Sequence, residues 1–321
     1  MGKPLEYALW LAVPLAAGAF LQGDAYALSV LVFVLIYGLL AMATVLCMGH
    51  AGQITLAQAG FFAIGAYAAS ITELELGAPF AGGLIMALVV TGLCGYALGY
   101  PILRVKGHFL GLITLAFTQV VNEVVTHWTS LTGGVNGLYG MSQPSIPFVE
   151  FDPLYEFAIL LALFWFTVFV ACGNLINSRY GRAMHMLKFS DWGAQANGIS
   201  VARYKCEAFA LSAAICGGAG AFYATFIQYI GPESFTLEVS IGVIAMCILG
   251  GMTDLRGAIL GAAALTLVNE PLRMVPELQP VIYALVILLV IVLLPQGVVP
   301  TLRRLFAERR ASRQAVEASR S

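Results

Sequence analysis

The sequence predicts an all-α, polytopic membrane protein with about ten transmembrane helices, and three observations carry that expectation. Apolar residues fill 60% of the 321 positions and charged residues only 10%, with a mean hydropathy of +0.87. That is too little polar surface to cover a soluble globule of this length. The apolar residues lie in long stretches. When those stretches are threaded through a bilayer, fifteen of the sixteen Lys and Arg residues fall on one side.

The first expected crossing, 7–22, follows Lys3. Its apolar run and the later Ala25-Tyr26-Ala27 mimic a secretory signal, and the run is read here as a crossing. The second, 27–48, leads into Gly49 to Gly60, where His50, Gln53, Thr55 and Gln58 interrupt the apolar pattern before and within the third, 54–72. The fourth and fifth, 79–102 and 108–127, are separated by Arg104 and Lys106, and the pairs Gly95/Gly99 and Gly107/Gly111 allow close helix packing. The sixth, 154–175, is followed by a polar segment, Asn177 to Lys205, and then by the seventh, 206–229. The eighth and ninth, 238–250 and 258–271, are short for straight crossings and flank the loop Gly250 to Gly257. Interrupted helices persist in a membrane only where protein or a water-filled cavity satisfies the freed backbone groups. The tenth, 280–298, precedes a basic tail at 300–321.

The basic bias sets orientation. Lys3, Arg104, Lys106, Arg179, Arg182, Lys188, Arg203, Lys205, Arg256 and the tail arginines are assigned to the cytoplasm, with only Arg273 outside. Both termini are then cytoplasmic, in a bacterial inner membrane. The opposite face carries acids such as Asp24, Glu73, Glu156 and Glu233. The crossings from second to fifth and from seventh to tenth would run in opposite directions, an arrangement compatible with an inverted repeat.

Several function classes find no support. There is no GxxxxGK[ST] loop to cradle a nucleotide and no HExxH. The six cysteines are isolated, without CxxC or metal-ligand spacing, and read as small buried hydrophobes. No catalytic residue, metal or cofactor is expected, and no nucleic-acid partner. Glu123, Glu207 and Glu270 all lie near helix ends, which counts against proton or sodium coupling, because coupled carriers keep ionisable groups within the membrane. His50, His108, His127 and His185 share no spacing.

The segment 177–205 is long for an inside loop, and such loops tend to be functional. Within it, Ser190-Asp191 can cap a short helix through Trp192, Gly193, Ala194, Gln195, Ala196 and Asn197, ended by Gly198. A short helix bearing one large aromatic, held outside the membrane, suits insertion into a partner's groove. The bland alternative is a solvated inside loop.

Gly181-Arg182-Ala183, then DWGAQANGIS (191–200) and Arg203-Tyr204-Lys205, resemble the coupling loop of permeases in the branched-chain amino acid ABC importer family. GHAGQITLAQAGFFAIGAYAA (49–69), KGHFLGLITLAFTQVVNE (106–123), LTGGVNGLYG (131–140), GPESFTLEVSIGVIAMCILGG (231–251) and LPQGVV (294–299) resemble the same family's signatures in the same order, in its LivM-type form. The sequence departs at Gln195, Gly193 and Asn197, where the family pattern has Glu, Ala and Leu, and at Thr253 and Ala258, where Gly and Pro are frequent.

The resemblance implies a single membrane permease domain over 1–321 that moves branched-chain or similar apolar amino acids inward. It implies ATPase subunits that hydrolyse the ATP, a paralogous LivH-type permease and a periplasmic or surface binding protein. Arg182, Asp191, Trp192, Ala194, Gln195, Asn197 and Gly198 would couple to the ATPase. Candidates for the solute path are Gln53, Thr55, Gln58, Thr118, Gln119 and Asn122, uncharged hydrogen-bonding groups that can line a path without trapping a zwitterion. Their alternative role is to bond helices together. Related permeases for urea, amides or aromatic acids share much of this framework. A stand-alone channel for a neutral solute would not need segment 177–205, and a scaffold would not need broken helices.

Overall fold

The computed structural model describes residues 3–21, 23–102, 108–141 and 153–272, with isolated positions between 281 and 289. Apart from those positions, the crossing expected at 280–298, the tail at 300–321 and the LPQGVV signature lie outside the described residues. The helices are α1 (Lys3–Phe20), α2 (Ala25–Thr44), α3 (Gln58–Leu76), α4 (Phe80–Ile102), α5 (His108–His127), α6 (Thr129–Thr132), α7 (Pro153–Asn177), α8 (Arg179–Phe189), α9 (Asp191–Ala196), α10 (Val201–Ile227), α11 (Leu237–Gly250) and α12 (Leu255–Leu272). The all-α expectation holds with one small exception: Leu138–Tyr139 pairs antiparallel with Tyr229–Ile230, Leu138 opposite Ile230.

Six stretches among the described residues are long and apolar enough to cross a membrane: Ala25–His50, Phe80–Pro101, Phe109–His127, Pro153–Asn177, Val201–Ile227 and Pro232–Gly250. The ten expected crossings differ from these for physical reasons. The apolar part of α1 is short, Trp10–Phe20. The third crossing opens at Gln58, not 54, because the preceding residues are not helical, and the seventh begins at Val201, not 206.

α2 is apolar on every side, and such a helix is buried. Ile36, Leu39, Leu40, Ala41, Met42 and Ala43 are all inaccessible. Its start is capped by Asp24, whose carboxylate accepts from the Tyr26 and Ala27 amides.

Around α2, the helices approach through small residues, as expected where lipid removes the hydrophobic drive between them. At the α3–α10 crossing, a methyl on Gly65 would overlap the Gly217 backbone and one on Gly220 would overlap the Phe62 carbonyl. α4 enters the same contact at Gly95, against Ala213. Gly257 and Gly261 let α12 fold back on α11, against the backbone at Gly250 and Met246. Gly257 and Gly261, four residues apart, thus form a close-packing face. Gly107 lies outside the described residues, and a methyl on Gly111 would meet, among the described residues, only Ile54, at 3.8 Å.

Candidate functional site

α2 does not end at Thr44. It widens into a π-helical turn, Val45–His50, and residues 51–57 then follow without regular secondary structure, with Gly52 at φ +69°, until α3 begins at Gln58. Burial alternates along this stretch as in a strand: Gln53, Thr55 and Ala57 are buried, while Gly52 and Ile54 are exposed.

Non-helical backbone inside a helical bundle must find partners, and hydroxyls supply them. The Leu56 amide donates to Thr114 Oγ1 at 2.9 Å. The Leu56 carbonyl accepts from Thr118 Oγ1 at 2.9 Å and from Ser240 Oγ at 3.0 Å. The Ala59 amide donates to Ser240 Oγ, also at 3.0 Å. α5 and α11 thus hold the junction between the segment 51–57 and α3.

The six path candidates separate on this geometry. Thr118 bonds the Leu56 carbonyl, Thr55 accepts from the Ala57 amide at 3.1 Å, and Asn122 Nδ2 donates to the Pro232 carbonyl at 3.1 Å. All three make internal hydrogen bonds. Gln119 is exposed on α5, next to buried Thr118. Gln53 Oε1 accepts from the Cys47 thiol at 3.1 Å, while its Nε2 has no hydrogen-bond partner among the described residues. Gln58 is 2% exposed, and both ends of its amide lack a partner among the described residues. An unmet buried amide is destabilising, so Gln58 has the strongest demand for a ligand or water.

The expected inside loop is helical over most of its length. Ser178 caps α8 by accepting from the Tyr180 and Gly181 amides, and any side chain at Gly181 would overlap the Ile176 backbone, which makes the α7–α8 corner tight. Tyr180 stacks on Tyr204 of α10 at 4.8 Å and donates to the Tyr204 carbonyl at 3.3 Å. Burial and the neighbouring Glu207 raise the Tyr180 hydroxyl above the ordinary phenol range.

Ser190 caps α9 by accepting from the Gly193 amide at 3.0 Å, and Gly198 ends the turn at φ +75°, as its residue types require. Asn197 Nδ2 donates to the Gly193 carbonyl at 2.8 Å, and Ala194 is the buried contact of α9. Gln195 is exposed. Arg182 Nη1 donates to the Asn177 carbonyl at the end of α7, at 3.4 Å.

The resulting elbow displays aromatic surface. Trp192 is 78% exposed and Phe189 75%, with Met186 beside them in sequence. This end of the bundle also carries the π turn and the α11–α12 turn, since a methyl on Gly49 would overlap the Met252 carbonyl. A cavity of about 270 Å³ lies here, lined by residues that include His50, Phe169, Asn177, Asp254 and Arg256.

Residues 26–294 match the family model described as branched-chain amino acid transport system / permease component. The chain belongs to that permease family. This permease is 30% identical over 293 residues to the high-affinity branched-chain amino acid transport system permease protein LivM of Salmonella typhimurium, covering 84% of the chain and 69% of the relative. The LivM protein of Escherichia coli matches with the same identity and coverage. A probable LivH protein of Methanocaldococcus jannaschii is 29% identical over 197 residues, 54% of this chain and 62% of that one. No solved structure matches.

Sequence reasoning missed Thr114, Ser240 and Phe189 in this permease. Phe189 had a local signal, an aromatic two residues before the Asp191 that opens the short helix. Thr114 and Ser240 had none, because a hydroxyl that satisfies a distant carbonyl looks like any other in an apolar helix.

Proposed function

We propose that this chain is a membrane permease subunit of a binding-protein-dependent ABC importer that moves branched-chain or similar apolar amino acids inward. ATP hydrolysis is supplied by separate subunits, and a LivH-type permease and an external binding protein complete the assembly. The observation that carries this reading is the α8–α9 elbow, whose exposed Phe189 and Trp192 project from the end of the bundle where the re-entrant segment 51–57 starts. Large apolar side chains outside the membrane mark docking surfaces, and a coupled importer needs one beside its gate.

The elbow lies on the cytoplasmic face of a bacterial inner membrane, with both termini on that side and about ten crossings in all. The basic residues Arg182, Lys188, Arg203, Lys205 and Arg256, which cluster at or beside this end in sequence, support that orientation. The inverted repeat is supported by the two helix interruptions, at 45–57 and 251–254, meeting at Gly49 and Met252. Solute passes beside the segment 51–57, where Gln53 Nε2 and the Gln58 amide, without partners among the described residues, supply uncharged contacts.

Reconstitution with candidate ATPase, LivH-type and binding-protein subunits tests this. Leucine, isoleucine or valine with the binding protein should stimulate ATP hydrolysis and uptake, whereas urea, amides and aromatic acids should not. Stimulation by urea or an amide alone would replace the substrate class. Uptake without ATPase subunits would replace the importer with a facilitator.

A further inference from the structure

We infer that Lys188 is a positioning residue that transmits movement of the α8–α9 elbow to the re-entrant segment, tying solute passage to ATP hydrolysis. The inference rests on the importer reading above and adds the physical link it lacks. Lys188 Nζ donates to the Gly49 carbonyl at 2.9 Å, joining α8 to the π turn across 139 positions of chain. The last carbonyls of a helix have no partner within it, and an ammonium is a strong donor to one of them.

The same residue blocks the segment from behind. Gly52 adopts φ +69°, and a methyl there would sit 2.9 Å from Lys188 Cα and 3.2 Å from its Cγ. Gly49 is in turn pressed against the Met252 carbonyl, so the π turn has no room to slip aside from the α11–α12 turn.

Beyond Gly52 the chain is non-helical as far as Leu56, where Thr114, Thr118 and Ser240 hold it. A segment of so few residues held at both ends has little slack, because each residue spans at most about 3.3–3.6 Å. A displacement of α8 is therefore passed along the segment, through Gln53 and Thr55, to the start of α3 at Gln58. Met or Gln at position 188 keeps most of the side chain's length and removes the charge.

The test uses the complete importer in proteoliposomes and reads solute taken up per ATP hydrolysed, together with retention of the ATPase subunits. Lys188→Met and Lys188→Gln should keep the ATPase subunits bound while the ratio falls about tenfold, the factor carried by one charge-assisted hydrogen bond. Lys188→Arg should restore most of it. Gly52→Ala, which leaves the ammonium in place, should lower the ratio as well.

A wild-type ratio in Lys188→Met and Gly52→Ala overturns the inference. So does a loss of assembled complex with an unchanged ratio in what remains, which would make Lys188 a staple of the fold. Trp192→Ala run in parallel separates the two proposals. If it keeps its ATPase and transports normally, the elbow reading itself fails; if it loses docking while Lys188→Met keeps the wild-type ratio, only the Lys188 link fails.

Discussion

The Asp191 carboxylate lies 2.8 Å from the Lys205 ammonium, and with side chains only 18% and 16% exposed the pair ties α9 to α10. Asp191 is also the first residue of α9, where a negative charge suits the helix dipole. Removing either partner leaves the other charge partly desolvated, at about 1–3 kcal/mol. Asp191→Asn and Lys205→Met should each weaken solute-stimulated ATP hydrolysis, and the double variant should lose less than the two single losses added. A double-mutant cycle on ATPase retention checks this; additive losses would mean that the pair does not hold α9 in place.

Trp192 and Phe189 are expected to act together as the anchor of the elbow. Truncating a buried interface aromatic weakens docking by about 2 kcal/mol, roughly thirtyfold in affinity. Trp192→Ala and Phe189→Ala should therefore leave a folded permease in the membrane that co-purifies poorly with its ATPase. Arg182→Glu should have a smaller effect, since Arg182 caps α7 through the Asn177 carbonyl. Titration of ATPase subunits onto nanodisc-embedded permease measures all three, and unchanged affinity for both aromatic variants would leave a solvated elbow.

Gln58 and the hydroxyls around it should separate into two behaviours. Gln58→Leu removes a buried amide that has no partner among the described residues, so uptake should fall while expression and assembly stay near wild type. Thr118→Val and Ser240→Ala strip donors from the Leu56 carbonyl and should instead lower the yield of folded protein, each by about 1–3 kcal/mol of stability. Yield and uptake measured on the same membranes tell these apart. A Gln58→Leu protein that loses yield but keeps uptake per molecule would make this residue part of the packing.

Glycine substitutions should follow the space available. Gly220→Ala and Gly257→Ala press a methyl into the Phe62 and Gly250 carbonyls, and overpacking of this kind destabilises by about 1–3 kcal/mol. Gly23→Ala meets nothing within 4 Å and should be near neutral. Thermal denaturation in detergent reads the difference; similar midpoints for all three would mean that the helices separate easily at these contacts.

Sidedness can be read by cysteine labelling. Ser190→Cys, in the elbow, should react with an impermeant maleimide only from the cytoplasm. Tyr139→Cys, at a position 75% exposed beside the short ladder, should react only from the other side. Labelling of both from one face would overturn the orientation.

Much of this architecture was legible because its causes are local. Apolar runs gave the ends of α4, α5, α7 and α11 within one or two residues, since a helix in a membrane is as long as its run of lipid-compatible side chains. Ser190 and Gly198 marked the limits of α9 because a cap hydroxyl and a left-handed glycine act within one turn.

The re-entrant segment was decided at a distance. Leu46, Met48, Ile54, Leu56 and Ala57 could all continue a helix, and the polar interruption alone suggested a break without its form. The chain leaves the helix over residues 51–57, and Thr114, Thr118 and Ser240 bond Leu56 and Ala59 from elements 58 to 184 positions away.

By itself, then, the sequence determined that the chain is helical, which stretches are apolar enough for lipid, where α9 is capped and which residue types are available to meet a solute. Only the tertiary structure decided that Thr118 and Asn122 make internal bonds, that the Gln58 amide is left unmet, and that Lys188 reaches Gly49. The physical reason is the range of the interactions: caps and apolar runs act within a turn or along one helix, whereas a buried polar group is satisfied by whatever the fold brings within about 3 Å of it.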